Sequence, residues 1–400
     1  MIELLRNAEL YDPEPRGLSH ILVGGEQVLW VGADPPALGP GLAARDRDLE
    51  GRRVIPGLVD GHVHLTGGGG EAGPNTRVPP ATLSRLTRGG VTTAVGLLGT
   101  DDTVRTTAEL VTVARGLIAD GLSAYCLTGG YHVPPTTVTG SVRLDIVLID
   151  LIIGVGEIAV SDHRSSQPTL EELLRLAGDA HVGGLMSGKA GIVHIHVGDG
   201  PRGLALIRQA LDQTELPPGV FNPTHVNRRR PLFDEACALA QRGCTIDITA
   251  FPVAEDEDAW PAATALLRYL DSGLPPSRVT VSSDGGGCLP TFDQEGRVAT
   301  LDIASPAALG DTLTELLAAG QPLERILPAF TSNPARHLRL GQKGRIAAGA
   351  DADLVVLDTE DGIADVMARG RWHVREGRHL VEGLLETSGD VPHPVAGPRR

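Results

Sequence analysis

The sequence predicts an α/β chain in which repeated strand-helix units close into a barrel and a smaller sheet domain is assembled from both chain ends. Three observations carry that expectation. Short apolar runs alternate with helical stretches through the middle of the chain, β-type stretches broken by Gly, Pro and charged residues occupy both ends, and 400 residues with 41% hydrophobic content can bury both a barrel and a smaller core.

At the amino end, Ile21 to Gly24 and Val28 to Gly32 read as strands separated by turn residues. The same texture returns from Gly344 to Leu357 and from Val366 to Val374. Residues 1–52 and 341–388 are therefore expected to form one domain, with the barrel at 53–340 and a disordered, proline-rich tail at 389–400. Within the barrel, Val91 to Leu98, Ala124 to Leu127, Val155 to Val160, Ile192 to Val197 and Val279 to Ser283 have the length and apolar content of strands. Leu170 to Ala177 and Ala308 to Leu317 place apolar residues three and four apart, as on an amphipathic helix. Eight such units would close a barrel, whose chemistry gathers where its strands end.

Composition narrows the function. Lys and Arg number 35 against 50 Asp and Glu, and a net charge of −15 argues against a grip on a nucleic-acid backbone. No apolar run is long enough to cross a membrane and the amino terminus lacks a basic segment followed by an apolar one, so a soluble, cytoplasmic protein is expected. Cys126, Cys237, Cys244 and Cys288 show no CxxC spacing and are expected to be free thiols.

The most informative local feature is the pair His62 and His64, which ends the apolar run from Val54 to Val59 and precedes the glycine cluster Gly67 to Gly70. On a strand, residues two apart share a face, so one divalent metal could bind both imidazoles. Glu157, His196, His225 and Asp284 also end apolar runs. The bland alternative makes His196 and His225 hydrogen-bonded core residues and Asp284 a helix cap. Taken together, four imidazoles and two carboxylates suit zinc, and six ligands exceed the three expected of one catalytic zinc, which favours two ions.

The stretch from Pro56 to His64 resembles the opening metal motif of the amidohydrolase superfamily, over nearly the whole chain, and within it the chain is similar to the β-aspartyl (isoaspartyl) dipeptidases. Supporting stretches are Gly67 to Pro74, Gly96 to Thr100, Thr128 to Pro134, Thr139 to Val142, Ser161 to Ser165, Pro223 to Arg228 and Ser282 to Gly285. The resemblance implies a TIM-type barrel with a β-sandwich built from both termini and a binuclear zinc site at the barrel mouth. It implies that His62, His64 and Asp284 hold the more buried ion and that His196 and His225 hold the other.

In the best-known relatives a carboxylated lysine bridges the ions, but this chain has Glu157 at that position, in a segment displaced by about one residue from the pattern. A glutamate arm is shorter, so the strand would need to lie closer or be bulged. Lys189 is the alternative donor, but it precedes a strand and is expected to face solvent.

The implied chemistry is hydrolysis of the β-linked amide of an isoaspartyl dipeptide by a hydroxide bridging the two ions, with Asp284 as proton acceptor and then donor, and Tyr131 stabilising the carbonyl oxygen. Glu71 would take the substrate's α-ammonium, Arg164 and Arg228 its carboxylates, and Thr100 a further hydrogen bond. Phosphate binding by the glycine cluster is a weaker reading, because Glu71 would repel it. Cys288 stands where the compared family has a serine near the substrate. His132 and His163 are ambiguous. The resemblance also suggests a homo-oligomer. Hydrolysis of a cyclic amide or an N-acyl amino acid is the alternative activity, and a non-catalytic scaffold the alternative class.

Overall fold

The computed structural model describes residues 2–39, 43–292 and 298–386, so the expected disordered tail at 389–400 lies outside the described residues. Eight parallel strands form the barrel: β1 (Leu58–Val63), β2 (Val91–Gly96), β3 (Ser123–Thr128), β4 (Ile152–Val160), β5 (Ile192–Val197), β6 (Phe221–Thr224), β7 (Ile246–Thr249) and β8 (Val279–Ser282). β1 to β6 pair in chain order, and β7 pairs with β8. Strands covered on both faces read as continuous apolar runs rather than alternating ones, and all nine residues of β4 are buried.

Side chains close the two seams that the backbone ladders leave. Between β6 and β7, Thr224 donates its hydroxyl to Asp247 at 2.8 Å, and Asn222 donates its amide to the Thr245 carbonyl at 2.7 Å. Between β8 and β1, the Ser283 backbone and hydroxyl both donate to Asp60, while the His64 backbone N–H donates to the Gly285 carbonyl at 2.9 Å. Buried carboxylates therefore complete the cylinder, each satisfied by several donors.

The two ends of the barrel differ. Val59, Val95, Leu127, Ile153 and Ile192 form an apolar cluster with Ala335, Leu338 and Leu340, which plugs the end where the strands begin. His62, His64, His196, His225 and Asp284 lie at or just beyond the other end of their strands.

Both chain termini contribute to one nine-stranded sheet, in which Arg53–Pro56 joins the amino-terminal strands to Leu354–Leu357 and Ile363–Ala368. One face buries Leu5, Leu10, Val54, Leu354 and Val356 in the sheet's own core. Ile55, Val355 and Leu357 alternate onto the opposite face and join the barrel core. The fold is a TIM-type barrel with a small sandwich-like part from the termini.

Two local expectations are corrected. The apolar run from Val54 to Val59 divides after Pro56 into strands of two different sheets, so only its second half carries the histidine pair. From Gly344 to Leu357 only Leu354–Leu357 is strand; the preceding residues form turns, anchored where Asp12 accepts the Ile346 N–H at 2.6 Å. Among the described residues no helix is long and apolar enough to cross a membrane.

β4 carries one residue more than its partner: Val155 faces Val193 and Ile158 faces Ile195, leaving Gly156 and Glu157 opposite His194 alone. This bulge is the backbone adjustment expected for the shorter glutamate arm. A Cβ on Gly156 would lie 2.6 Å from the His194 carbonyl oxygen, a backbone atom that cannot swing aside, and φ is +150° there. Gly156→Ala should therefore cost about 1–3 kcal/mol of stability by overpacking. Urea unfolding checks this, and unchanged stability would contradict so close an approach.

Candidate metal centre

Six of the residues singled out in the sequence converge where the strands end. His62 lies on β1 with His64 just beyond it, Glu157 on β4, His196 on β5, and His225 and Asp284 just after β6 and β8. His225 and Asp284 leave their strands with φ of 62° and 54°, left-handed conformations that non-glycine residues seldom adopt and that collect at functional sites. Gly99 completes the packing, because a Cβ there would fall 2.7 Å from the His64 ring.

Glu157 is the hub. Its Oε2 lies 3.3 Å from both His196 Nδ1 and His225 Nε2 and 3.5 Å from His62 Nε2, while Oε1 lies 3.5 Å from His64 Nε2. Asp284 Oδ1 sits 3.2 Å from His62 Nε2 and 3.0 Å from His64 Nε2. These separations are short, yet among the described residues His62 Nε2 and Asp284 Oδ1 make no hydrogen bond, so their lone pairs aim at a shared point rather than at each other. Ligand atoms of His62, His64 and Asp284 lie within 4.8 Å of one another, as do those of His62, Glu157 and His225. Buried nitrogens and carboxylate oxygens in this arrangement fit divalent metal ions.

The electrostatics agree. Burial opposes charge on Glu157, but His62 and then His196 and His225 hold its carboxyl well below the usual range. Burial is likewise outweighed at Asp284, chiefly by His62. At His62 burial opposes protonation, while Glu157 and Asp284 push the imidazole up to about 9. The carboxylates thus demand a positive countercharge, which a divalent ion can supply in place of the proton. His225 is pushed down to about 4, mainly by burial, and is a neutral nitrogen donor.

Several neighbours of this cluster were not legible as site residues. His194 Nε2 lies 2.8 Å from His62 Nδ1, and His194 Nδ1 lies 2.6 Å from Asn222 Oδ1. Asp162 accepts from His196 Nε2 at 2.9 Å and from two nitrogens of Arg164 at 3.0 and 2.8 Å. The same spacing of two that marks His62 and His64 also links His194 to His196, and Asp162 lies two residues past the end of β4, so both carried a signal.

Tyr131 is buried, and its hydroxyl lies 2.8 Å from His196 Nδ1; burial raises its pKa well above the usual tyrosine value. Glu71 Oε1 accepts from Thr100 at 3.1 Å and from Arg164 at 3.2 Å, while Glu71 Oε2 is buried with no hydrogen-bond partner among the described residues. Gly68 of the glycine cluster and its neighbours turn carbonyls toward a cation: Arg105 donates to the Thr66, Gly68 and Val78 oxygens. Cys288 begins a hairpin strand beside Gly69, and burial, then Glu71, push its thiol up to about 12.

The remaining sequence candidates have other partners. Arg228 pairs with Asp199 at 2.8 Å and donates to the Val197 carbonyl at 3.2 Å, at the end of β5. His132 Nδ1 lies 2.5 Å from buried Asp102. Lys189 does not simply face solvent, as expected: its ammonium donates to the Ile146 and Ile149 carbonyls at 2.6 and 2.7 Å, capping the end of the Val142–Leu148 helix, where orphan carbonyls attract a cation.

Comparison with known proteins agrees with this architecture. The chain is 43% identical to a β-aspartyl dipeptidase of Fervidobacterium islandicum AW-1, solved in complex with β-Asp-Leu dipeptide, with a TM-score of 0.90 over 95% of this chain and 97% of that one. It is 27% identical over 395 residues to the imidazolonepropionase of Anaeromyxobacter sp. (strain K), covering 88% of this chain and 89% of the relative. The dihydropyrimidinase of Brevibacillus agri NCHU1002 shares the fold at 17% identity and a TM-score of 0.64, over 96% of this chain and 97% of that one. The model of the amidohydrolase family matches residues 53–373. With four-fifths of its length aligned to that model, the chain belongs to the amidohydrolase family.

Proposed function

We propose that this protein is a binuclear metal-dependent hydrolase of the β-linked amide in isoaspartyl dipeptides. The observation that carries the substrate assignment is Glu71: one oxygen is held by Thr100 and Arg164, the latter linked through Asp162 to His196, and the other is buried without a hydrogen-bond partner among the described residues. A buried acceptor of that kind calls for a charged donor, and the free α-ammonium of an isoaspartyl residue is one. The similarity to the Fervidobacterium enzyme solved with β-Asp-Leu supports the same substrate class.

In this reading His62, His64 and Asp284 would hold one ion, His196 and His225 the other, and Glu157 would contribute a carboxylate to the pair, with zinc the ion best suited to the donors. When bound, the ions supply Lewis acidity that makes water nucleophilic near neutral pH. Asp284, ionised and adjacent to the reacting centre, accepts the proton released during attack and passes it to the leaving amine, which cannot depart as an anion. Tyr131, whose hydroxyl stays protonated, donates to the carbonyl oxygen as negative charge builds there. Arg164, fixed by Asp162, and Arg228 orient the substrate carboxylates. Cys288 packs at the pocket wall as a neutral thiol, a weaker donor than a hydroxyl. The barrel unit is assigned to residues 53–340, of which Arg53–Pro56 pair in the terminal sheet, and the working form is a cytoplasmic homo-oligomer.

Two outcomes follow. The purified protein should cleave β-aspartyl-leucine and leave N-acetyl-leucine and dihydroorotate intact, and Glu71→Gln should lower kcat/KM for the dipeptide by roughly 10- to 150-fold, as expected for losing a charged hydrogen bond of about 1.5–3 kcal/mol. Faster turnover of the N-acyl or cyclic compound would contradict the assignment. Metal analysis after mild dialysis should find two ions per chain in the native protein, with Glu157→Gln losing metal and activity together and added bicarbonate changing neither in the wild type. Less than one ion per chain would favour a scaffold, and bicarbonate rescue would point to a carboxylated lysine.

A further inference from the structure

Resting on the metal reading above, we infer that His194 and Asn222 are positioning residues that fix the tautomer of His62 and aim its Nε2 lone pair into the centre. The chain of bonds has one consistent polarity. Asn222 Nδ2 donates to the Thr245 backbone carbonyl at 2.7 Å, an acceptor with no proton to give, so the Asn222 oxygen must face His194. That oxygen only accepts, so the nitrogen 2.6 Å away, His194 Nδ1, carries the hydrogen. In a neutral imidazole the other nitrogen is then an acceptor, and His194 Nε2 takes the hydrogen of His62 Nδ1 across 2.8 Å. With a divalent ion in place of the second proton, His62 Nε2 is left bare, and among the described residues it is an atom without a hydrogen-bond partner that faces Asp284 and Glu157.

All three side chains are shielded from water, with His62 at 0%, His194 at 2% and Asn222 at 4% exposure, so solvent does not offer substitute partners. The relay starts at the β6–β7 seam, crosses β5 and ends on β1. It therefore ties ligand geometry to closure of the barrel. Groups that orient a metal-bound histidine typically change metal affinity by 10- to 100-fold when removed.

The test is zinc affinity, measured by competition with a chromogenic chelator, with thermal melting of each metal-free variant alongside. His194→Phe keeps ring volume but offers no acceptor, and should weaken binding of the tighter ion by about 10- to 100-fold. His194→Gln can accept from His62 and donate to Asn222, and should recover most of that affinity. Asn222→Leu should weaken binding, whereas Asn222→Asp, whose buried carboxyl can stay protonated toward the Thr245 carbonyl and still accept from His194 through its other oxygen, should retain it. A packing role alone would make affinity follow melting temperature, with Phe and Leu as the milder changes. That order, or equal affinity in all four variants, overturns the inference while leaving the proposed function standing. Failure of the wild type to bind zinc overturns the proposed function itself.

Discussion

The barrel mouth is organised around one buried carboxylate. Glu157 is 1% exposed and sits within 3.5 Å of nitrogens from His62, His64, His196 and His225. Ionised groups removed from water carry desolvation costs of several kcal/mol each, so such a carboxylate persists only where positive charge compensates it. The imidazoles can supply that charge as protons, but their lone pairs converge in a way that suits cations better. The bulge in β4, the absence of side chains at Gly156 and Gly99, and the left-handed turns at His225 and Asp284 all serve to bring these groups together at one point.

The same economy appears in the walls. Where backbone pairing lapses between β6 and β7 and between β8 and β1, Asn222, Thr224, Asp247, Ser283 and Asp60 supply the bonds. Asp247 accepts from Thr224, Thr280 and Ser282, and burial still raises its pKa, which shows how dry the interior is. A functional cluster and a structural seam share the same strands, so the residues that close the barrel also orient those at its mouth.

Much of this was legible in the sequence, for physical reasons. Fully buried strands announce themselves as apolar runs, and β2, β3, β4, β5 and β8 fall where such runs occur. β6 and β7 did not stand out, since they contain Asn222, Pro223 and Asp247, polar or imino residues that only the barrel interior explains. The division of the Val54 to Val59 run was equally hidden, because alternation within one stretch does not reveal that two sheets share it. The six clustered residues were found by their positions at run ends. His194 and Asp162 carried only the local signals of spacing and strand-end position and Asn222 none, because their contacts join different strands, and that adjacency belongs to topology rather than to local pattern. The shared environment of Lys189 with the Val142–Leu148 helix end was invisible for the same reason.

The central claim is that two cations share Glu157 as their common ligand. Anomalous diffraction at the zinc edge from crystals of the zinc-loaded protein tests it most directly. The account predicts two peaks, each with a Glu157 oxygen at about 2.0–2.2 Å. A single peak, or two peaks with Glu157 outside bonding distance of either, would contradict it.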